Sequence, residues 1–97
     1  MINGNFDRFD KERIDGWAMI SEAPTVRLRF DVLRGDEVIG EFFADQFRED
    51  LAEAEIGDAT CAFSFEVPTY LSLGDLRKLR FRLGGSDFYW QPKRIPV

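Results

Sequence analysis

The feature that most constrains the fold is the alternation of apolar and charged residues in TVRLRFDVL, residues 25–33. Its apolar positions are Val26, Leu28, Phe30 and Val32, and between them stand Arg27, Arg29 and Asp31. A period of two residues is typical of a strand that buries one face and exposes the other. Turn-forming residues recur roughly every ten positions along the chain, which is the spacing of an all-β sandwich or barrel.

Other stretches repeat this alternation. In CAFSFEVP the residues predicted to point inward are Cys61, Phe63, Phe65 and Val67. In LRKLRFRL the inward residues are Leu79, Phe81 and Leu83, and the outward ones are Lys78, Arg80 and Arg82. GNFDRFD and RIDGWAMI predict a hairpin that turns at Asp10-Lys11, and SDFYW predicts a last short strand. Together these segments predict one domain over residues 1–97, an antiparallel β-sandwich of immunoglobulin-like or jelly-roll-like kind with about seven strands and a Phe-rich core.

The RGD stretch, residues 34–36, joins two predicted strands, and the parity of the flanking residues predicts the loop length. With a three-residue loop, Leu28 faces Phe42, so that both strands bury their apolar sides together. A two-residue loop would set Phe30 against Glu41 and mix the two faces. We therefore predict a three-residue loop with Gly35 at a positive φ angle. An adhesive role for the tripeptide is the weaker alternative, because Gly-Asp is itself a turn sequence.

Residues 45–58, DQFREDLAEAEIGD, predict one short helix near 46–55. Phe47, Leu51 and Ala54 have helical spacing, Asp45 can cap the N-terminus, and Gly57 can end the helix. Since acidic residues near the C-terminal end oppose the helix dipole, we expect the helix to be held by packing.

Composition excludes several kinds of site. The 97 residues contain no His and a single Cys, Cys61, so an internal disulfide and every His-based catalytic or metal site are excluded. Cys61 is predicted to be a small buried residue. A calcium site made by Asp45, Asp50 and Asp58 is a minor alternative, since their spacing matches no EF-hand loop. We predict no catalytic residue, no metal and no cofactor.

Charge and hydropathy limit the partners. The net charge of −5 argues against a nucleic-acid ligand. No apolar run approaches the roughly 20 residues of a membrane span. The start, MINGNFDRFD, lacks the basic flank and apolar run of a signal peptide. These observations predict a cytoplasmic protein if the chain is complete, and leave the compartment open if it is a domain of a longer protein.

Cations on the predicted outer face are the candidate ligand-binding residues. They are Arg27, Arg29, Lys78, Arg80 and Arg82, with Trp90 as an outer aromatic. On one shared sheet they would form a basic stripe suited to an anionic polymer. The favoured alternative is structural: Arg29 pairs with Glu41, and Arg27 lies over Phe43 across the hairpin.

The Gly16-Trp17 pair in RIDGWAMI raises a separate question. Gly16 shares one face of the strand with Ile14 and Ala18, whereas Trp17 shares the other with Met19. A glycine here predicts a close backbone approach or a bulge. Trp17 is either a core anchor or an exposed platform for a ligand such as a sugar. We favour the anchor, because a Trp in a small sandwich more often fills the core.

Three strings stand in a recognisable order: GNFDRFDKERIDGWA, ADQFREDLAEAEIGD and AFSFEVP. Their matching residues are Gly16, Trp17 and Ala18, then Ala44, Asp45, Arg48, Asp50, Leu51, Ile56, Gly57 and Asp58, then Phe63 or Phe65 with Pro68. Over residues 4–92 the chain resembles a bacterial β-sandwich domain appended to glycosyltransferases and other cell-envelope polysaccharide proteins. The sequence departs from that pattern in residues 54–65, where two glycines are missing. The resemblance implies a non-catalytic accessory module and carries over no binding residue.

Two functions follow as hypotheses. The first is a non-catalytic module that binds a carbohydrate, or positions a partner protein, in cell-surface polysaccharide biosynthesis. The alternative is a structural domain for protein–protein or homo-oligomer contacts, motivated by Leu33, Ile39 and Phe43 on the predicted outer face of the hairpin. In the family signature we expect structural roles, with Arg48 bridging Asp45 or Asp50 and Leu51 closing the end of the sandwich.

Overall fold

A computed structural model describes residues 1–91, while residues 92–97 of the predicted domain, and with them the end of the family resemblance at position 92, lie outside the described residues. The described chain is mostly antiparallel β-structure with two short helices. In chain order the elements are β1 (Ile2–Phe9), β2 (Arg13–Ile20), β3 (Leu28–Arg34), β4 (Glu37–Ala44), α1 (Glu49–Glu53), β5 (Ala62–Glu66), α2 (Leu73–Arg77) and β6 (Arg80–Leu83). Residues 1–91 thus contain six strands rather than the seven predicted.

The strands form two sheets of three strands each, with the orders β1-β2-β5 (the first sheet) and β4-β3-β6 (the second sheet). The predicted hairpin β1–β2 is confirmed, and β5 joins it by pairing with β2. In the second sheet β3 pairs with both β4 and β6. The two sheets pack against each other through one hydrophobic core.

Phenylalanine supplies much of this core, as the composition predicted. Of the ten Phe residues, seven are buried, and these are Phe6, Phe9, Phe30, Phe42, Phe63, Phe65 and Phe81. Phe42 of the second sheet stacks on Phe63 of the first, with ring centroids 4.3 Å apart. Contacts of this kind join the two layers, because aromatic pairs add attraction beyond the area they bury.

Trp90 also belongs to the core, and its prediction as an outer aromatic was wrong. It is only 5% exposed, and its ring stacks on Phe30 at 5.0 Å. Residues 86–90 form no full strand; one isolated bridge joins Tyr89 to Arg82. The Trp90 amide then donates to the Phe81 carbonyl at 2.8 Å. This bond fixes the chain so that the indole of Trp90 enters the space between the sheets.

The β3–β4 hairpin differs from the predicted register. Its loop is two residues long, 35–36, and the glycine has the predicted positive φ, 61°. Leu33 therefore pairs with Val38, and Phe42 pairs with Phe30 rather than with the predicted Leu28, which pairs with Ala44. A bulge accounts for both facts, because one extra residue of β4 restores the parity that the shorter loop removes. Phe30 and Phe42 both face the core, as predicted, whereas Leu33, predicted on the outer face, is buried. Val26, however, precedes β3 and is 48% exposed.

Residues 73–79 do not begin a strand. Ser72 Oγ accepts a hydrogen bond from the Asp75 amide at 3.0 Å, and Asp75 Oδ2 accepts one from the Ser72 amide at 3.1 Å. This capping box starts helix α2. Lys78 is the C-cap residue of α2 and so does not project from a strand. The predicted strand is confined to β6, where Phe81 points inward.

Residues 45–60, here called the cover segment, cross the outer face of the first sheet. Its helix α1 is shorter than predicted, and the N-cap is Arg48 rather than Asp45, without a side-chain cap bond. Phe47, predicted on the buried side, is 63% exposed. Leu51 is buried, but it packs in a second small cluster with Ala59, Cys61 and Ala62 instead of closing the sandwich end.

Candidate functional site

Trp17 packs on the second cluster rather than in the core between the sheets. It is half-buried and, like Met19 and Ile56, contacts the cluster beneath the cover segment. Trp17 is thus a packing residue, as predicted, but it packs against the cover segment rather than in the core between the two sheets. Gly16 makes the predicted close approach. A Cβ there would lie 2.2 Å from the Asn5 carbonyl oxygen and 2.8 Å from the Phe63 ring.

Three of the candidate arginines lie on the outer face of the second sheet, and acids pair with them there. Asp31, only 7% exposed, accepts from Arg29 Nη1 at 2.6 Å and from Arg82 Nη2 at 3.0 Å. Arg29 also donates to Glu41 at 3.1 Å. The predicted ion pair thus forms, but diagonally, because Phe43 rather than Glu41 lies opposite Arg29. The Asp31 carboxylate raises the pKa of Arg82 by accepting its hydrogen bond. This face is a paired network, and its guanidinium groups already have anionic partners.

Arg80, the third of these arginines, is held at the hairpin tip. Its Nη2 donates to the Gly35 carbonyl at 2.8 Å, and its guanidinium lies 4.6 Å from the centroid of the Tyr89 ring. Arg34 lies over Tyr70 at 5.3 Å and pairs with Glu37 at 2.9 Å. Arg80 of β6 therefore ties the RGD loop to the second sheet, and Arg34 ties it to the connection between β5 and α2.

Arg27 and Lys78 are not brought together with the other three cations. Arg27 does not lie over Phe43; its Nη1 and Nη2 bind both oxygens of Asp58 in the cover segment, at 3.0 and 2.5 Å. This two-bond contact lowers the pKa of Asp58 to about 2. Lys78 ends α2. The five predicted cations thus do not form one stripe.

An open groove of about 410 Å³ lies on the outer face of the first sheet, beside the cover segment. All three strands of the sheet and the cover segment contribute to it. Its lining residues are Asp7, Arg8, Arg13, Asp15, Gln46, Arg48, Ala62, Phe63 and Ser64. Asp15 of β2 and Ser64 of β5 are direct cross-strand partners, so the antiparallel register places their side chains side by side on this face.

Asp15 is the centre of the polar contacts in the groove. Its Oδ1 accepts from the Ser64 hydroxyl at 2.6 Å, and its Oδ2 accepts from Arg13 Nη2 at 2.8 Å. The Asp15 side chain is 20% exposed and that of Arg13 is 49% exposed. The groove therefore presents a fixed carboxylate flanked by a hydroxyl and a guanidinium, and the Arg13 guanidinium is accessible to solvent.

Arg48 closes the other side of the groove. It binds both oxygens of Asp50, with Nε at 3.0 Å and Nη2 at 2.6 Å, and Nη1 donates to Asp7 of β1. The bonds to Asp50 and then to Asp7 raise the pKa of Arg48. The predicted Arg48–Asp50 bridge is confirmed, and the contact with Asp7 ties the cover segment to the edge strand of the first sheet.

Sequence patterns did not single out most of the groove. Period two in CAFSFEVP implied an outward Ser64 between the inward Phe63 and Phe65, and this was the available signal. For RIDGWAMI, which contains Asp15, the sequence left open which face of the strand is buried. Nothing in the local pattern showed that β5 pairs with β2, since 41 residues separate the two strands. The bulge between Phe6 and Arg8 in β1, which turns Asp7 toward Arg48, also leaves no local signature.

Other predicted sites are placed as follows. Cys61 is 1% exposed, and burial raises the pKa of its thiol. Two of the three acids of the minor calcium alternative are paired with arginines, Asp50 with Arg48 and Asp58 with Arg27. Within residues 1–91 no group of three His, Cys, Asp or Glu side chains is arranged to hold a metal ion. No helix in the same residues is long and apolar enough to cross a membrane.

No protein-family model matches the chain, and no curated protein or solved structure is significantly similar to it. The resemblance to a polysaccharide-associated domain therefore stays a prediction.

Proposed function

We propose that the chain is a non-catalytic binding module that takes a carbohydrate in the groove of the first sheet. The observation that carries this proposal is the contact set around Asp15. A sugar hydroxyl both donates and accepts hydrogen bonds. The groove offers acceptors on Asp7, on Asp15 and on the Ser64 hydroxyl oxygen, whose proton is donated to Asp15, and it offers donors on Arg13. A rigid sheet face holds these groups in place, which lowers the entropic cost of binding.

The family resemblance supports the same proposal, in the setting of cell-surface polysaccharide biosynthesis. We also propose that the two packed sheets form a small sandwich related in kind to the immunoglobulin-like and jelly-roll architectures. Those have seven or more strands, so six strands would make a reduced version in which an open sheet face is available for a ligand.

An array of neutral and acidic oligosaccharides, followed by calorimetric titration of the hits, tests this function. Asp15→Asn and Ser64→Ala remove one acceptor charge and one hydroxyl from the groove, and each is expected to weaken binding about tenfold, the effect of one lost hydrogen bond. Arg80→Ala on the other sheet is the matched control. Loss of binding with Arg80→Ala alone would move the site to the second sheet, and no hit on the array would reject the proposal.

An assembly domain is the second candidate, and two exposed aromatic residues favour it. Phe43 is 47% exposed and Phe47 is 63% exposed, four residues apart near the end of β4. Of the three residues predicted to form an apolar outer patch on the hairpin, Phe43 is exposed. Leu33 is buried, and Ile39 packs against the core. Light scattering at increasing concentration, with Phe43→Ser and Phe47→Ser for comparison, decides: a monomer throughout would reject homo-oligomer formation.

A further inference from the structure

The groove does not end at Arg13. A second depression of about 510 Å³ lies on the other side of this residue, at the end of the first sheet. It is lined by Lys11, Glu12, Arg13, Glu66, Val67, Pro68 and Thr69. The Val67 amide donates to the Glu12 carbonyl at 3.0 Å, so the β1–β2 turn and the end of β5 form one continuous surface. Arg13 is the residue that the two depressions share.

The register of β2 and β5 places the two depressions one after the other along the strands, and the combined surface is here called the track. Arg13 is opposite Glu66, and Asp15 is opposite Ser64. Successive outward rows are two residues apart, about 7 Å along the strands. From the Asp15 row through the Arg13 row to Pro68, the track is therefore longer than one sugar ring requires, and it runs along the strand direction.

The charges along this track are balanced. Its cations are Arg8, Lys11, Arg13 and Arg48, and its anions are Asp7, Glu12, Asp15 and Glu66. Four of each leave no net charge on a chain that carries −5 overall. An anionic polymer would meet the carboxylates, and a cationic peptide would meet the guanidinium groups, each at a desolvation cost. Uncharged hydroxyls match the surface, since they accept from the cations and donate to the anions.

We propose that the track binds an uncharged oligosaccharide of several units, with successive sugars on the two sides of Arg13. The inference rests on the carbohydrate function proposed above and adds the class of ligand. The Asp15 side of Arg13 supplies fixed polar contacts, and the other side adds the half-buried ring of Pro68 as an apolar contact for the C–H face of a sugar.

Calorimetric titration with uncharged oligosaccharide ladders, from one to six glucose units in β-1,4, β-1,3 and α-1,4 linkage, tests this inference beside oligomers of a uronic acid. Affinity is expected to rise at least tenfold from the shortest ligand bound to the tetramer, and then to level off. Glu66→Gln, which changes only the far side of the track, is expected to weaken tetramer binding several-fold and to leave the shortest ligand unaffected. Glu53→Gln, on the exposed side of α1, is the matched control.

The outcomes separate this inference from the proposed function. Binding that is independent of length, or equally weakened by Glu66→Gln for short and long ligands, overturns the extended track and leaves the carbohydrate function intact. Tighter binding of the uronic acid oligomers overturns the choice of an uncharged ligand. No binding of any oligosaccharide overturns both proposals together.

Discussion

Gly16 shows how a single residue sets the spacing of the first sheet. At this position β1 and β2 approach so closely that even a methyl group would meet the Asn5 carbonyl. Gly74 is a glycine of the opposite kind, because it lies in helix α2 and its nearest neighbour to a Cβ would be Ser72 Oγ at 3.6 Å. The sequence alone indicated the close approach at Gly16, since glycine inside a strand otherwise weakens it.

The two glycines therefore respond oppositely to alanine. Gly16→Ala is expected to destabilise the protein by about 3 kcal/mol, the upper end for overpacking, because backbone has to move. Gly74→Ala is expected to stabilise it by about 0.5–1 kcal/mol, the helix propensity difference. Urea unfolding of the two variants measures both changes. A neutral Gly16→Ala would mean that the strands can separate without cost.

The two tryptophans are expected to contribute differently to stability, because Trp90 lies in the core and Trp17 packs under the cover segment. Trp90→Ala is expected to cost about 3–5 kcal/mol, as for a fully packed core aromatic. Trp17→Ala is expected to cost about 1–3 kcal/mol, since a half-buried ring loses part of the burial energy. Denaturant unfolding of both variants gives the comparison. An equal loss would place Trp17 in the same cooperative core, contrary to its contacts with the cover segment.

At the scale of elements, the β3–β4 hairpin shows why matched faces did not fix the register. Burial of both apolar sides requires only that Phe42 lie opposite an inward residue of β3. The predicted three-residue loop would place Leu28 there, whereas the observed two-residue loop with a bulge places Phe30 there. Local sequence does not choose between them. Helix α1 is shorter than the predicted 46–55 for another reason. Leu51 is its buried residue, and Phe47 precedes the helix and is exposed, so the helical spacing of these two residues is not realised.

The caps of the two helices differ in a measurable way. Ser72→Ala is expected to destabilise the protein by about 1 kcal/mol, because it removes the side-chain acceptor of the capping box. Asp45→Ala, at the position where the sequence predicted a cap, is expected to change stability by less than about 0.5 kcal/mol. Thermal unfolding of the pair checks this difference. A larger effect at Asp45 than at Ser72 would contradict the observed caps.

At the scale of the whole molecule, two-faced strands and the Phe-rich core were predictable because period two and composition are local properties. The groove was not predictable, because it depends on two contacts between residues far apart in the sequence, the pairing of β5 with β2 and the bond from Arg48 to Asp7. Long-range charge pairs of this kind hold the cover segment at both ends, with Arg48 at one end and Arg27–Asp58 at the other. Acid stability should therefore report on the cover segment.

The pKa of Asp58 falls from an ordinary 3.8 to about 2, first because it accepts from Arg27 and then because it accepts from the Thr60 amide. A carboxyl group whose pKa is depressed in the folded state contributes stability above its unfolded pKa, and this contribution is lost as the pH falls through the folded value. The free energy of unfolding is therefore expected to be flat above about pH 4 and to fall between pH 4 and 2.

Asp58→Asn tests whether protonation of Asp58 causes this loss of stability in acid. The variant is expected to be less stable than the wild type at pH 5, and to lose less stability between pH 4 and 2, because one linked proton has been removed. Urea midpoints at several pH values measure both effects, and Asp36→Asn at the hairpin tip of the second sheet is the control. Asp10, whose pKa also falls to about 2 through the Arg13 amide and then Arg8, accounts for part of the slope that remains. Parallel curves for the wild type and Asp58→Asn would show that the Arg27 contact does not hold the cover segment in solution.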